Sequence, residues 1–242
     1  MQLNGNKVLV TGGATGIGYE LTKMFLSAGS KVLVCGRRQN LLEELKQQYP
    51  EVEYLITDVS LESERIRLIE WVKTSHPDAN VIVNNAGVQE RMAILETDFW
   101  ERASREIDLN LKGPIHLCSA LLPVIEKNRN PVIINVTSGL AFVPMSGAPV
   151  YCSTKAALHS FTLSLRHLVK NRVEVIELVP PAVNTDLGGA GVHTQGVPLE
   201  EFGKAVREQL ISGYLEVTYG FSSAMIKAGP EERAKTFQRM NP

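Results

Sequence analysis

Short runs of apolar and β-branched residues recur along this chain, separated by segments of helical period. A strand that leads into a helix must cross over before pairing with the next strand. The alternation therefore predicts parallel pairing and helices on both faces of one sheet. The strand candidates are Lys7–Thr11, Lys31–Cys35, Val52–Ile56, Val81–Asn84, Val132–Thr137, Val173–Val179 and Leu215–Tyr219. Six are rich in Val, Ile or Leu, as strands buried on both faces require. The seventh is more polar and fits an edge. Helices are expected over Gly16–Ala28, which ends at the C′ candidate Gly29, and over Leu41–Tyr49. Further helices are expected over Leu61–Ser75 with Ser60 as N-cap, over a long stretch through Asn128 with Thr97 as its N-cap, and over Tyr151–Lys170. No linker divides residues 1–242, so they read as one doubly wound, Rossmann-like α/β domain of about seven mostly parallel strands. Gly188–Val197 is Gly-rich and aperiodic, and predicts a mobile substrate loop near 186–200.

The formal net charge is −1 and the basic residues are dispersed. That gives no electrostatic footprint for a nucleic acid or an anionic membrane. Cys35, Cys118 and Cys152 form no C-x-x-C pair and leave one thiol over, as expected of reduced apolar fillers. No leader precedes the first apolar run and no stretch reaches spanning length, which predicts a cytoplasmic protein. His76, His116, His159, His167 and His193 are scattered, so no metal site is expected and all five read as structural or surface residues.

Thr11-Gly12-Gly13-Ala14-Thr15-Gly16-Ile17-Gly18 joins the first strand to the first helix. Glycines at 12, 16 and 18 permit a tight turn and close approach of phosphate oxygens, and the helix N-terminus favours negative charge. The spacing differs from the commoner G-x-G-x-x-G, and a glycine loop alone is also an ordinary turn. The end of the second strand adds information. An acidic residue there holds a ribose 2′-hydroxyl, whereas this chain exits through Cys35-Gly36-Arg37-Arg38. Two guanidinium groups suit a 2′-phosphate, and positive charge at a helix start is otherwise unfavourable. The expected cofactor is NADP(H). Asp58 with Val59, and Asn85-Ala86-Gly87, leave the sheet on the same side and are expected around the adenine and ribose.

Tyr151 and Lys155 stand four apart on one predicted helix and so share a face. A nearby ammonium and an oxidised nicotinamide both favour a phenolate, which makes tyrosine usable as an acid/base near neutrality. Ser138 ends the fifth strand, either to hydrogen-bond a substrate oxygen or simply to cap a turn. Asn110 lies inside a predicted helix four residues before Pro114, which has no N–H for its carbonyl. The freed carbonyl would hold a relay water, or merely mark a kink.

Together these residues, in this order and spacing, resemble the short-chain dehydrogenase/reductase family over nearly the whole chain. The resemblance implies that Tyr151 exchanges the alcohol proton, that Lys155 lowers its pKa and binds the nicotinamide ribose, that Ser138 steadies the carbonyl oxygen and that Asn110 holds the relay water. It also implies a homodimer or homotetramer built on the helices of Asn110 and Tyr151. Thr185 matches the residue that binds the carboxamide, and Val183 the backbone contact beside it. Pro180-Pro181 departs from the usual Pro-Gly and, with Arg37-Arg38 and Arg239-Met240-Asn241, is similar to the DltE-type subgroup.

Leu140, Phe142, Val143, Met145 and Leu187 are expected to line a pocket for a hydrophobic or aromatic ketone, aldehyde or secondary alcohol. A catalytically silent NADP(H)-binding sensor or scaffold would keep the glycine loop but lose the proton-transfer residues. A nucleotide-sugar epimerase or dehydratase would carry a larger C-terminal domain.

Overall fold

Successive side chains of a strand face opposite sides of its sheet. In the computed structural model, which describes residues 1–242, the central strands are apolar on both. Val8, Val10, Val32, Val34, Val81 and Val83 enter one core layer; Leu9, Leu33 and Ile82 enter the other. The strands are β1 (Lys7–Thr11), β2 (Lys31–Gly36), β3 (Glu53–Ile56), β4 (Val81–Asn84), β5 (Val132–Val136), β6 (Glu174–Val179) and β7 (Glu216–Thr218). They form one sheet in the order β3-β2-β1-β4-β5-β6-β7, parallel throughout. β7 is one edge strand, as its polarity predicted; β3, expected to be buried on both faces, is the other edge, and none of its residues is fully buried because one side has no strand neighbour.

The helices are α1 (Gly16–Ser27), α2 (Gln39–Gln48), α3 (Glu62–Ser75), α4 (Phe99–Ile107), α5 (Gly113–Ile125), α6 (Pro149–Leu168), α7 (Leu199–Ile211), α8 (Gly220–Lys227) and α9 (Pro230–Met240). Leu21 and Phe25 of α1, Leu42 of α2 and Phe202 of α7 fill the first layer. Leu68 of α3, Leu117 and Leu121 of α5 and Leu165 of α6 fill the second. Strand order reverses between β1 and β4, which opens a crevice beyond the strands' carboxyl ends.

Three local expectations are corrected. Ser60 does not cap α3: the helix begins at Glu62, and the Ser60 N–H and hydroxyl both donate to Asp58 in an Asx turn. Thr97 caps nothing, since α4 starts after Asp98. The long helix is also interrupted. A π-helical turn, Asp108–Lys112, separates α4 from α5, and Pro114 sits in the first turn of α5, where its missing N–H is tolerated. Gly113 completes the junction, because a Cβ there would stand 3.2 Å from the Val59 carbonyl oxygen. The aperiodic loop ends by Pro198, as α7 begins at Leu199.

Candidate active site

The glycine loop follows β1 at the switch point. Gly12 and Gly16 have φ of 66° and 53°, a region that strains side-chain-bearing residues. Gly18 is fixed by space instead: a Cβ would lie 2.2 Å from the Gly12 carbonyl oxygen and 2.4 Å from Asn85 Nδ2. Asn85 supports the loop from below, its Nδ2 donating to the Thr11 carbonyl at 2.9 Å. The Thr11 hydroxyl in turn accepts the backbone N–H groups of Asn85 and Ala86, each at 3.0 Å. The loop after β4 and the loop after β1 are therefore one unit, with Thr15 and Ile17 at its helix end. Thr185, from beyond β6, closes over it: a Cβ on Gly16 would meet Thr185 Cγ2 at 3.3 Å.

Arg37 and Arg38 leave β2 beside this loop. Arg38 Nη2 donates to Thr15 Oγ1 at 2.9 Å, and Arg37 stands 3.6 Å from the Asp58 carboxylate. Both line the crevice, together with Thr15, Ile17, Val59, Asn85, Ala86 and Val183. Small glycines, a helix N-terminus and two guanidinium groups fit a dinucleotide carrying an additional phosphate.

The proton-transfer candidates converge at the other end. Tyr151 and Lys155 are buried on α6, with the ammonium 5.7 Å from the phenol ring centroid. Lys155 Nζ donates to the Val136 carbonyl at 2.8 Å. Burial pushes Lys155 down to about 8, although Glu106 opposes this. Burial likewise pushes the Tyr151 phenol well above its ordinary range, against a hydrogen bond with Ser138. The lowered tyrosine expected from the Tyr–Lys spacing is not produced by the protein groups alone, because desolvation of the phenolate outweighs them. Ser138 does cap a turn, its Oγ accepting the Leu140 N–H at 3.1 Å. A hydroxyl that accepts there still has its proton to donate.

Asn110 lies fully buried in the π-helical turn. Its Oδ1 accepts from Val88 N at 3.0 Å and its Nδ2 donates to the Val88 carbonyl at 2.8 Å. The side chain thus clamps the segment after β4. Asn110 Oδ1 and Lys155 Nζ both border Gly87, where a Cβ would be 3.2 and 3.6 Å from them.

One cavity of about 1190 Å³ joins the crevice to these residues. Leu140, Met145 and Leu187 line it, as expected. Phe142 and Val143 do not: they pack under the C-terminal helices with Met225 and Ala228, since the turn at 139–141 directs them away from the cavity. Phe221 and Met240 take their place from α8 and α9. His193, expected to be structural or superficial, lines the cavity and meets Gln89 at 3.2 Å. Glu106 is buried beside these residues as well; its signal in the chain is the polar stripe Arg102, Glu106 and Asn110 at four-residue spacing. The cysteines are free and buried, and burial raises the Cys152 thiol, which argues against reactivity.

A glycine loop at the switch point and a buried Tyr–Lys pair opening into the same cavity define an oxidoreductase that uses a nicotinamide dinucleotide. The chain matches the short chain dehydrogenase family over residues 6–196. It is 40% identical to the uncharacterized oxidoreductase DltE of Bacillus subtilis (strain 168), across 100% of this chain and 98% of that one. A short chain dehydrogenase of Burkholderia cenocepacia J2315, solved in complex with NADP, superimposes with a TM-score of 0.85 at 26% identity, over 99% of both chains. A serine dehydrogenase complexed with NADP+ gives a TM-score of 0.77 at 27% identity, over 88% of this chain and 94% of that one. This chain belongs to the short-chain dehydrogenase/reductase family, and the DltE similarity bears out the subgroup resemblance.

Proposed function

We propose that this protein transfers a hydride between NADP(H) and a carbonyl or secondary-alcohol carbon bearing apolar substituents. The observation that carries the reading is one continuous cavity with Arg37 and Arg38 at one end and Tyr151, Lys155 and Ser138 at the other. The two related structures that hold NADP support the cofactor. Leu140, Met145, Leu187, Phe221 and Met240 support an apolar substrate.

When bound, the nicotinamide supplies or takes the hydride. Ser138 directs its hydroxyl proton at the substrate oxygen. Tyr151 gives its proton to that oxygen in reduction and takes it back in oxidation. Burial suits the reductive role, since it holds Tyr151 as the neutral phenol that can donate. Lys155, with one donor on Val136, has two more for the ribose and the tyrosine side. Asn110 fixes Val88 and shapes the floor over which Lys155 lies. The loop at 186–198 closes the substrate side and moves to admit it, and the outer faces of α4 and α6 pair two copies of the chain.

The test is NADPH consumption across a panel of aryl and alkyl ketones and aldehydes, run beside Tyr151→Phe. We expect turnover by the wild type and a loss of about 100-fold or more in the variant, the usual scale of a proton-transfer group. Wild-type turnover by the variant overturns the mechanism. Tight NADPH binding without turnover of any carbonyl instead favours a cofactor sensor.

A further inference from the structure

Residues 102, 106 and 110 lie four apart, so α4 and the π-helical turn present them on one side. That side stitches down the segment following β4. Asn110 binds both backbone groups of Val88. Arg102 Nε donates to the Glu90 carboxylate at 2.6 Å, and its Nη2 donates to the Arg91 carbonyl at 2.7 Å. Between them, Glu106 Oε1 accepts the Glu90 backbone N–H at 3.2 Å. The other oxygen, Oε2, is buried without a hydrogen-bond partner. Glu106 itself is 0% exposed, while Arg102, the cation one turn away, is committed to Glu90 and Glu96.

Anchoring the segment does not require an acid. A glutamine would accept the same N–H without the cost of a buried carboxyl group. The charge of Glu106 has an audience across the helix interface, because α4 packs against α6. The groups facing Glu106 are Glu90 and Arg102 on its own side and Lys155, Tyr151 and Cys152 on α6. Asn110, one turn further, places its Oδ1 beside Gly87, which Lys155 Nζ also borders.

We propose that Glu106 is a positioning residue for proton transfer, a buried carboxyl group whose charge acts across the α4–α6 interface on the ionisation of both Lys155 and Tyr151. Burial, the largest effect, pushes Glu106 up to about 7, against the Glu90 backbone N–H that it accepts; the Glu90 carboxylate adds to the rise, and Lys155 and Arg102 oppose it. Lys155 stands at about 8, so acid and ammonium exchange protons with solvent over neighbouring pH ranges. No bond of the redox reaction changes at Glu106. Ionised, it favours the Lys155 ammonium and opposes a Tyr151 phenolate; protonated, it does neither. The consequence for turnover rests on the acid/base reading of Tyr151, whereas the electrostatic coupling does not.

The test therefore reads Lys155 directly. The full-length protein, labelled with 13Cε-lysine, is titrated by NMR as wild type, Glu106→Gln and Glu106→Asp, with Lys155→Arg identifying the resonance. The Lys155 midpoint is expected to fall by about half to one pH unit in Glu106→Gln and to stay nearer the wild type in Glu106→Asp. An unchanged midpoint in a folded Glu106→Gln protein overturns the proposal. If that variant does not fold, 13Cδ-glutamate labelling of the wild type decides. A carboxyl titrating near neutrality supports the proposal, and all carboxyls titrating in the ordinary acidic range overturn it. Normal carbonyl turnover without the Lys155 shift removes Glu106 and leaves Tyr151 standing. The shift without turnover does the reverse.

Discussion

Arg38 reaches back across the crevice to Thr15, while Arg37 turns towards Asp58. A 2′-phosphate arriving between them would meet two cations and no acid on β2, whereas the 2′-hydroxyl of NAD would leave Arg38 without an anion and Arg37 with only Asp58. NADPH is accordingly expected to bind at least tenfold tighter than NADH, and Arg38→Ala to lose about tenfold to a hundredfold in NADPH affinity with little change for NADH, the scale of one charge-assisted contact. Fluorescence titration of the bound nicotinamide measures both. Equal wild-type affinities for the two dinucleotides would sink the assignment. At this scale much of the site was legible. Glycines 12, 16 and 18, Arg37-Arg38 and Tyr151-x-x-x-Lys155 carry their chemistry in local spacing. Partners that only the fold supplies were not legible: Asn85 beneath Gly12 and Gly18, His193 against Gln89, and the desolvation that raises Tyr151.

At the scale of elements, β5, β6 and α6 are joined by a buried polar cluster beside the catalytic residues. Glu177 of β6 is fully buried. It accepts the Thr137 hydroxyl at 2.6 Å and meets His159 Nδ1 at 2.8 Å. His159 lies on α6, one turn beyond Lys155. The hydrogen bond to Glu177, aided by its charge, raises the imidazole pKa against the effect of burial. A histidine whose folded pKa exceeds its unfolded value contributes stability that is complete below about 6.5 and is lost as pH rises through the folded value. The melting temperature should therefore fall as pH rises from 6 through that range, and His159→Gln should abolish this component. The variant should also cost about 2 kcal/mol at pH 6, below the usual range for breaking a buried ion pair because the imidazole is partly exposed. Calorimetric melts across pH check both; parallel profiles for the two proteins would refute the assignment. The strands themselves were readable within a residue or two, because burial on both faces writes continuous apolar runs in all but the two edge strands. The break at 108–112 was only half readable. Pro114 announced a lost hydrogen bond, yet whether the chain would kink or widen into a π turn depends on Val88 and Val59 packing against it.

The whole molecule adds what neither residues nor elements contain. Alternating periods were enough to forecast a doubly wound sheet, but not the C-terminal cover. Phe202, Val206 and Leu210 of α7 do stand at helical spacing, so that helix has a signal in the chain. α9 buries only Thr236, so its position follows from tertiary contact, and with it the arrival of Met240 at the cavity. The outer surface leaves a further question of packing. Trp100 on α4 is 73% exposed, and Leu163 and Leu168 on the adjacent α6 are 41% and 72% exposed. Large apolar side chains left exposed along neighbouring helices mark surface that gains by being covered, and a two-fold pairing would lay these helices against their own copies. Light scattering should then give twice the chain mass of 26.6 kDa, or four times if a second interface joins two such pairs. Trp100→Glu with Leu168→Glu should halve the mass. An unpaired carboxylate at each position is harmless in water but strongly unfavourable in a closed apolar contact. The monomer so produced should retain NADPH binding, because neither residue lines the cavity. A wild type with single-chain mass at micromolar concentration would rule the pairing out, and an unaltered mass in the double variant would move the interface off α4 and α6.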